Sequence, residues 1–424
     1  MTLFRDTRYP TPHELALAGR ALADEHPGLV RLRRAGTSRG GRPLWLLSVG
    51  ADSSGGRNVL VVAGAHANEP VAGATALSLA RRVIHEPARR DGCGWHLLLC
   101  ADPDGAALHR TPRPYSLLDY HRHFFRPRGP EQPEWAPSLL PPDRLPPETL
   151  VLTALIDELR PLLQVSLHGT DLGGSWVQLT RDIPGLAEPF AKSAAELRIP
   201  VETGASDAAG WPSPGPGIFV MPQRGSEAAG AFHAEDTRLS TWYHAHRYDG
   251  TTAVVEAPMW ASDLVDDPAP HPDPRRALAD LARRLAEESG QVARVLAASR
   301  SGLPEGDEAL AGPLLRAVDW TLELIPRITE AWTGDEVPAE ATAAYVGSID
   351  AFGRRLPLRA AAMLLRVLRA AGHAAAPELE RLVTVWCAAF EDRFRARWVP
   401  VATQVEHQSR TVLATYSRLT ALTG

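Results

Sequence analysis

Residues 58–69 read NVLVVAGAHANE, a Val-rich apolar run that stops at Gly64 and leads at once to His66 and Glu69. A short continuous apolar run of this kind fits a strand buried on both faces, as in a sheet sandwiched between helices. Residues 71–86 follow with helical periodicity, and WHLLLCA (95–101) is a second buried strand. Strand, helix, strand in that order favours an α/β sheet with helices on both faces.

Upstream, HELALAGRALADEHPG after Pro12 has helical spacing and ends in Pro-Gly. LVRLRRAGTSRGGRPLWLLSVG then alternates as two strands around a Gly-rich turn. Downstream, residues 102–147 are dense in Pro, Arg and His without a sustained period, which predicts a long irregular loop of the kind that often carries function. A helix over 148–161, the strand LLQVSLHG (162–169), a helix near 184–198 and the strand TTAVVEAP (251–258) complete the α/β region. Open α/β sheets bind ligands beyond the carboxyl ends of their strands, and His66, His168 and Glu256 are expected at such ends.

Past the linker DDPAPHPDP (266–274) the composition shifts to Ala, Leu, Arg and Glu in helical periodicity, with breaks near 301–306, 334–338, 353–357 and 373–377. The expected architecture is therefore α/β, a mixed central β-sheet flanked by helices over residues 1–270, with an appended all-α C-terminal helical domain over 271–424. The first unit would reach about residue 300 if the next helix packs on it. The bundle of five or six helices shows no catalytic constellation and reads as a packing module, or as a surface for homo-oligomer formation.

Composition narrows the function. With 424 residues, 44% hydrophobic and 22% charged, the chain has ample material for a core and exceeds what one core usually serves. A formal net charge of -5 and the absence of a long Lys/Arg block argue against nucleic acid or a membrane surface as partner. Lys192 is the only lysine. Cys93, Cys100 and Cys387 are few, odd in number and scattered, which suits a reducing cytoplasm and neither a disulfide framework nor a thiolate metal site. The opening Met1-Thr2-Leu3-Phe4-Arg5-Asp6 has no apolar export signal, and no run approaches the roughly 20 apolar residues of a membrane span.

His66-Ala67-Asn68-Glu69 sets an imidazole and a carboxylate three residues apart on a turn leaving a buried strand, where both can face one ion. A catalytic Zn²⁺ takes three protein ligands and keeps a fourth position for water, so a distant third ligand is required. His168, followed by Gly169 at the end of its own strand, is the best placed.

At this point residues 10–300 resemble the carboxypeptidase A-like zinc metallopeptidases, with their succinylglutamate desuccinylase and aspartoacylase branch. The resemblance rests on Gly-Thr-Ser-Arg-Gly-Gly-Arg-Pro-Leu (36–44), VVAGAHANEPVAG (61–73), Asp102-Pro103-Asp104-Gly105 in place of an Asn-Pro-Asp-Gly turn, Asp119-Tyr120-His121-Arg122-His123-Phe124, VSLHGTD (165–171) and VVEAPM (254–259). It implies one Zn²⁺ per chain held by His66, Glu69 and His168, with Glu256 as general base. It implies further that Asp119 receives the free ring N–H of His66 and that Arg122, beside His121 where the family has Asn, clamps a substrate carboxylate. For the arginine that stabilises the oxyanion, spacing favours Arg113, then Arg110, with Arg126 and Arg128 as the remaining candidates. Tyr243 and Tyr248 are candidates for a tyrosine that closes over the substrate, against ordinary wall aromatics. Glu148, in a Pro-Glu-Thr, is expected to be a structural residue opening a helix.

The resemblance thus implies a metallocarboxypeptidase acting on a peptide or peptide-like amide with a free carboxylate. An amide deacylase for a small acylated amino acid would use the same metal chemistry, and a non-catalytic zinc-site scaffold is the reading from outside enzymology.

Overall fold

The computed structural model describes residues 8–50, 57–90, 92–113, 115–223, 236–303, 309–334, 338 and 340–423. Its strands are β1 (Val30–Thr37), β2 (Pro43–Val49), β3 (Arg57–Ala63), β4 (Cys93–Leu98), β5 (Leu163–Gly173), β6 (Trp176–Leu179), β7 (Ile218–Val220), β8 (Thr251–Ala261) and β9 (Arg397–Trp398). They form one mixed sheet in the order β1-β2-β4-β3-β5-β8-β6-β7, with β9 added to the end of β8. The central strands β4, β3, β5 and β8 are mutually parallel, and β1–β2, β2–β4 and β6–β8 are antiparallel.

The helices are α1 (Pro12–Glu25), α2 (Val71–His85), α3 (Pro103–Leu108), α4 (Leu117–Arg122), α5 (Ala136–Leu139), α6 (Pro147–Leu159), α7 (Ala187–Leu197), α8 (Pro274–Ser299), α9 (Ala311–Ala331), α10 (Ala343–Ala370), α11 (Ala376–Phe394) and α12 (Val401–Thr423). The apolar run of β3 is buried on both faces, as its composition requires. Val59, Val61 and Ala63 pack into a core with α2 and the last helix, α12, while Leu60 and Val62 meet Leu152, Leu155 and Ile156 of α6 on the other side. Helices α9, α10 and α11 build a second core that takes in Tyr120 and Phe124 of the 102–147 segment and Leu172, Met259 and Trp260 from the far ends of β5 and β8.

Three expectations change. The 102–147 segment is not wholly irregular: it folds into the short helices α3, α4 and α5, pinned by burial of its aromatic residues against the second core. His168 and Glu256 do not end their strands, because β5 and β8 stay paired as far as Gly173 and Ala261, well past the end of β3 at Ala63. Helix α10 runs through Pro357 without the break expected at 353–357. It is buried along most of its length, so tertiary packing outweighs the hydrogen bond that proline forfeits. Parts of two other expected breaks, 304–306 and 335–337, lie outside the described residues. The three cysteines are buried thiols, and no helix of the described residues is long and apolar enough to cross a membrane.

The turn after β4 braces the His66–Glu69 turn. Asp102 caps α3 by accepting the Gly105 N–H at 2.8 Å. Gly105 is needed there, since a Cβ would lie 2.1 Å from Asp102 Oδ2 and 2.9 Å from the Ala67 methyl. Asp102 Oδ2 is buried without a partner, and burial pushes the carboxyl up to about 7, helped by the nearby Glu148 charge. Because the folded pKa lies above the unfolded value, the native state binds the extra proton. Stability is therefore greatest below about pH 4 for this group and is lost as pH rises through 7, at a cost on the order of 2–4 kcal/mol. Asp102→Asn keeps the acceptor for Gly105 without a buried charge. The variant is expected to melt several degrees higher than the parent at pH 8 and to lose most of that advantage at pH 5, as thermal unfolding at the two pH values would show; equal gains at both would disprove the linkage.

Candidate metal centre

Five side chains from three strands and one loop converge beyond the carboxyl end of β3. His66 and Glu69 leave that strand on a turn closed by Glu69 N–H to His66 C=O at 3.2 Å. His168 and Glu256 arrive directly opposite each other on the paired β5 and β8. Glu134 comes from the loop between Arg128 and α5. Each of the five is buried.

Glu69 joins the two imidazoles. Its Oε1 lies 2.9 Å from His66 Nδ1 and its Oε2 lies 3.2 Å from His168 Nδ1. Two imidazoles and a carboxylate are donors that a zinc ion prefers. Glu256 Oε1 sits 3.7 Å from the same His168 nitrogen, on the cavity side. On the far edge of His168, Nε2 faces Glu134 Oε2 and Ser166 Oγ, both at 2.9 Å, and Ser166 donates to Glu134 Oε1 at 2.6 Å. Among the described residues, the group whose ligand atoms all lie within 4.8 Å of one another is His66, Glu134 and His168, so Glu134 competes with Glu69 as the carboxylate beside the two histidines.

The charges follow from this crowding. Burial holds His66 down to about 4, with the Arg126 charge acting in the same direction. For His168 burial acts against protonation, but the Glu69 and Glu134 carboxylates outweigh it and raise the imidazole well above its usual value. Burial also opposes ionisation of Glu69, yet the two imidazoles hold that carboxyl well below the usual range. Glu256 goes the other way: burial pushes it up to about 8, reinforced by the Glu69 charge and only partly offset by His168. Two imidazoles gathered with three carboxylates form a donor set that suits a divalent cation.

Of the expected arginines, Arg126 stands at the cluster. It donates to Glu69 Oε1 at 3.0 Å and to Gln132 Oε1 at 3.3 Å, and its other contact is His66 Nε2 at 3.1 Å. Arg113 and Arg110 are exposed and line no part of the cavity, and Arg128 is paired with Glu131 at 2.8 Å. Asp119 does not reach His66. It accepts from Ser116 at 2.8 Å at the start of α4, and the His66 ring edge it was expected to occupy faces Arg126 instead.

Arg122 points away from the cavity, bound to Glu380 at 2.6 Å and to Asp119 at 3.3 Å. His121 is fully buried, with Nδ1 2.8 Å from the Leu117 carbonyl and burial holding it down to about 4, so it forms part of the wall behind Asp171. Tyr243 is buried and donates to the Pro222 carbonyl, and Tyr248 donates to Asp157 of α6; the neighbouring Trp242 lines the cavity instead, 5.8 Å from the His168 ring. Glu148 opens α6 and accepts from Arg39 N–H at 2.9 Å, as a structural residue would.

Two contributions had no clear signal in the sequence. Glu134 lies in Glu-Gln-Pro-Glu-Trp, which has no distinctive spacing to His168. Helix α12 locks the two site strands from behind. Gln408 donates to the carbonyls of His168 and Val255, and His407 Nε2 contacts Ser175 Oγ at 2.7 Å, which in turn donates to the Glu256 carbonyl at 2.6 Å. The cavity in front of the cluster has a volume of about 820 Å³, and its outer wall comes from α9 and α10.

Residues 18–172 match the family model described as Zinc carboxypeptidase, a segment that holds His66, Glu69, Glu134 and His168 but stops short of Glu256. Among solved structures, the chain is similar to a metallo-carboxypeptidase from Burkholderia cenocepacia, at 15% identity and a TM-score of 0.41 over 82% of this chain and 71% of that one. It is also similar to carboxypeptidase A from Helicoverpa armigera, at 17% identity and a TM-score of 0.38 over 62% and 69%. No curated protein matches it.

Proposed function

We propose that this chain, a zinc metallohydrolase of the carboxypeptidase-like kind, hydrolyses the amide bond of a small peptide or peptide-like substrate using one zinc ion held by His66, Glu69 and His168. The observation that carries this reading is Glu69, whose two oxygens reach both imidazoles while Glu256 waits on the open side. Glu134 touches only His168 and shares its charge with Ser166, which suits a group that receives the His168 Nε2–H and fixes the ring.

When bound, zinc polarises the scissile carbonyl and lowers the pKa of a water to about 7. Glu256 takes the proton of the attacking water and passes it to the departing amine, a task for which a carboxyl raised by burial is suited. Arg126 supplies positive charge to the oxyanion. Without an ion, a neutral His66 accepts from Arg126 at Nε2 and so carries its proton on Nδ1. Were Nδ1 to ligate the ion, the ring proton would sit on Nε2, which could then no longer accept from Arg126, and the guanidinium would be free to serve the oxyanion. Trp135, Trp176 and Trp242 give the cavity apolar walls, and about 820 Å³ falls within the range for small ligands.

Chelation is expected to abolish hydrolysis of N-acyl dipeptides, and one equivalent of zinc per chain is expected to restore it. Unimpaired hydrolysis by metal-free protein would remove the zinc mechanism, and a requirement for two equivalents would remove the single site.

A further inference from the structure

Helix α10 brings Arg355 and Arg359, one turn apart, onto the cavity wall beyond His168. Both side chains are 12% exposed, and both face a single fully buried carboxylate, Asp171. Arg359 holds it at 2.9 Å and lies 4.8 Å from the Phe124 ring centroid, so it is committed to the wall. Arg355 reaches Asp171 only at 3.4 Å. Its other contacts are Thr170 Oγ1 at 3.2 Å and the carbonyls of Leu172 and Ala351 at 3.3 Å, all long. Two guanidiniums against one carboxylate leave one positive charge facing the cavity. Glu202, also on the wall, is held by Ser348 and the Gly174 N–H, and burial favours its neutral form.

The distance from the metal centre is informative. His168 and Thr170 lie two residues apart on β5, both line the cavity, and side chains so spaced project to one face about 7 Å apart. Successive residues of a peptide are 3.8 Å apart, so a carbonyl at the metal and a carboxylate against Arg355 are separated by one residue plus a contact at each end. A planar guanidinium fork matches a carboxylate in two parallel hydrogen bonds.

We infer that Arg355, supplied by the C-terminal helices, is the specificity residue that receives the free carboxylate of the substrate, one residue from the scissile bond, in the role that the sequence resemblance would give to Arg122. The helical region is then part of the substrate site. The inference rests on the hydrolase reading above.

The test uses the zinc-loaded full chain with N-benzoylglycyl-phenylalanine and its C-terminal carboxamide. The free acid is expected to be cleaved with a KM at least tenfold below that of the carboxamide. Arg355→Ala and Arg355→Gln should both bring this ratio close to one with a smaller change in kcat, while Arg122→Ala leaves the ratio intact. Because the ratio is taken within one preparation, partial misfolding of a variant does not alter it. An unchanged ratio in both Arg355 variants, or no preference for the acid in the parent, would overturn the clamp and leave the hydrolase standing. Hydrolysis of neither compound by the zinc-loaded parent would overturn both.

Discussion

Glu256→Gln is expected to lower kcat by about 10²–10⁴-fold, the usual contribution of a positioned acid–base group, while the protein keeps its zinc. The substitution is nearly isosteric and removes only the ability to take and return a proton. Its surroundings are held in place: the Glu256 carbonyl accepts from Ser175, the preceding carbonyl of Val255 accepts from Gln408, and β8 is paired along β5 on one side and β6 on the other. The strand should not move, so loss of turnover can be assigned to the carboxyl itself. Glu256 approaches His168 only at 3.7 Å, against 3.2 Å for Glu69, which places it beside the ligand set and outside it. Metal content measured together with kcat separates the possibilities. Full activity would eliminate Glu256 as the base, and loss of zinc would make it a ligand.

Much of this arrangement is legible in the sequence where local rules act alone. The buried strand of residues 58–63 needs only its apolar composition, and the turn after it follows from Gly64 and the change to polar residues. His168 and Glu256 are found because strands of the same kind deliver them, and their direct pairing across β5 and β8 then follows from the parallel register. Where the reading fails, long-range packing decides. The extension of β5 and β8 past β3 is supported by Arg355 bonding the Leu172 carbonyl and by β9 pairing with Trp260 and Ala261, groups more than a hundred residues away.

The same cause explains the arginines and Asp119. Spacing along a Pro-rich segment cannot say which of Arg110, Arg113, Arg122, Arg126 and Arg128 turns inward. That depends on Glu380 of α11 capturing Arg122 and on the burial of Phe124 and Phe125, which brings Arg126 to Glu69. With Asp119 engaged by Ser116 at the start of α4, the carboxylate that supports a site histidine is Glu134, which acts on His168 rather than on His66. The function of a supporting carboxylate was foreseeable from the chemistry of metal-bound imidazole; the residue that performs it was not.

The two carboxylates that share these histidines should respond differently to the same change. Glu134→Gln keeps a carbonyl oxygen to accept the His168 Nε2–H, weakens its grip on the ring and leaves the donor atoms facing the ion in place. Zinc affinity should fall by roughly 10–100-fold, the effect of disturbing a supporting partner, and saturating zinc should recover most of the turnover. Glu69→Gln removes the one anionic donor that spans both imidazoles and leaves Arg126 without its Glu69 partner. Here the loss of affinity should go well beyond that range, and added zinc should not restore activity, because a neutral amide is a poor ligand for the ion. Competition titrations against a chelator of known affinity, run on both variants, give the order directly. If Glu134→Gln proves the more damaging, the ion is held by His66, Glu134 and His168, and Glu69 becomes the group that orients the two rings.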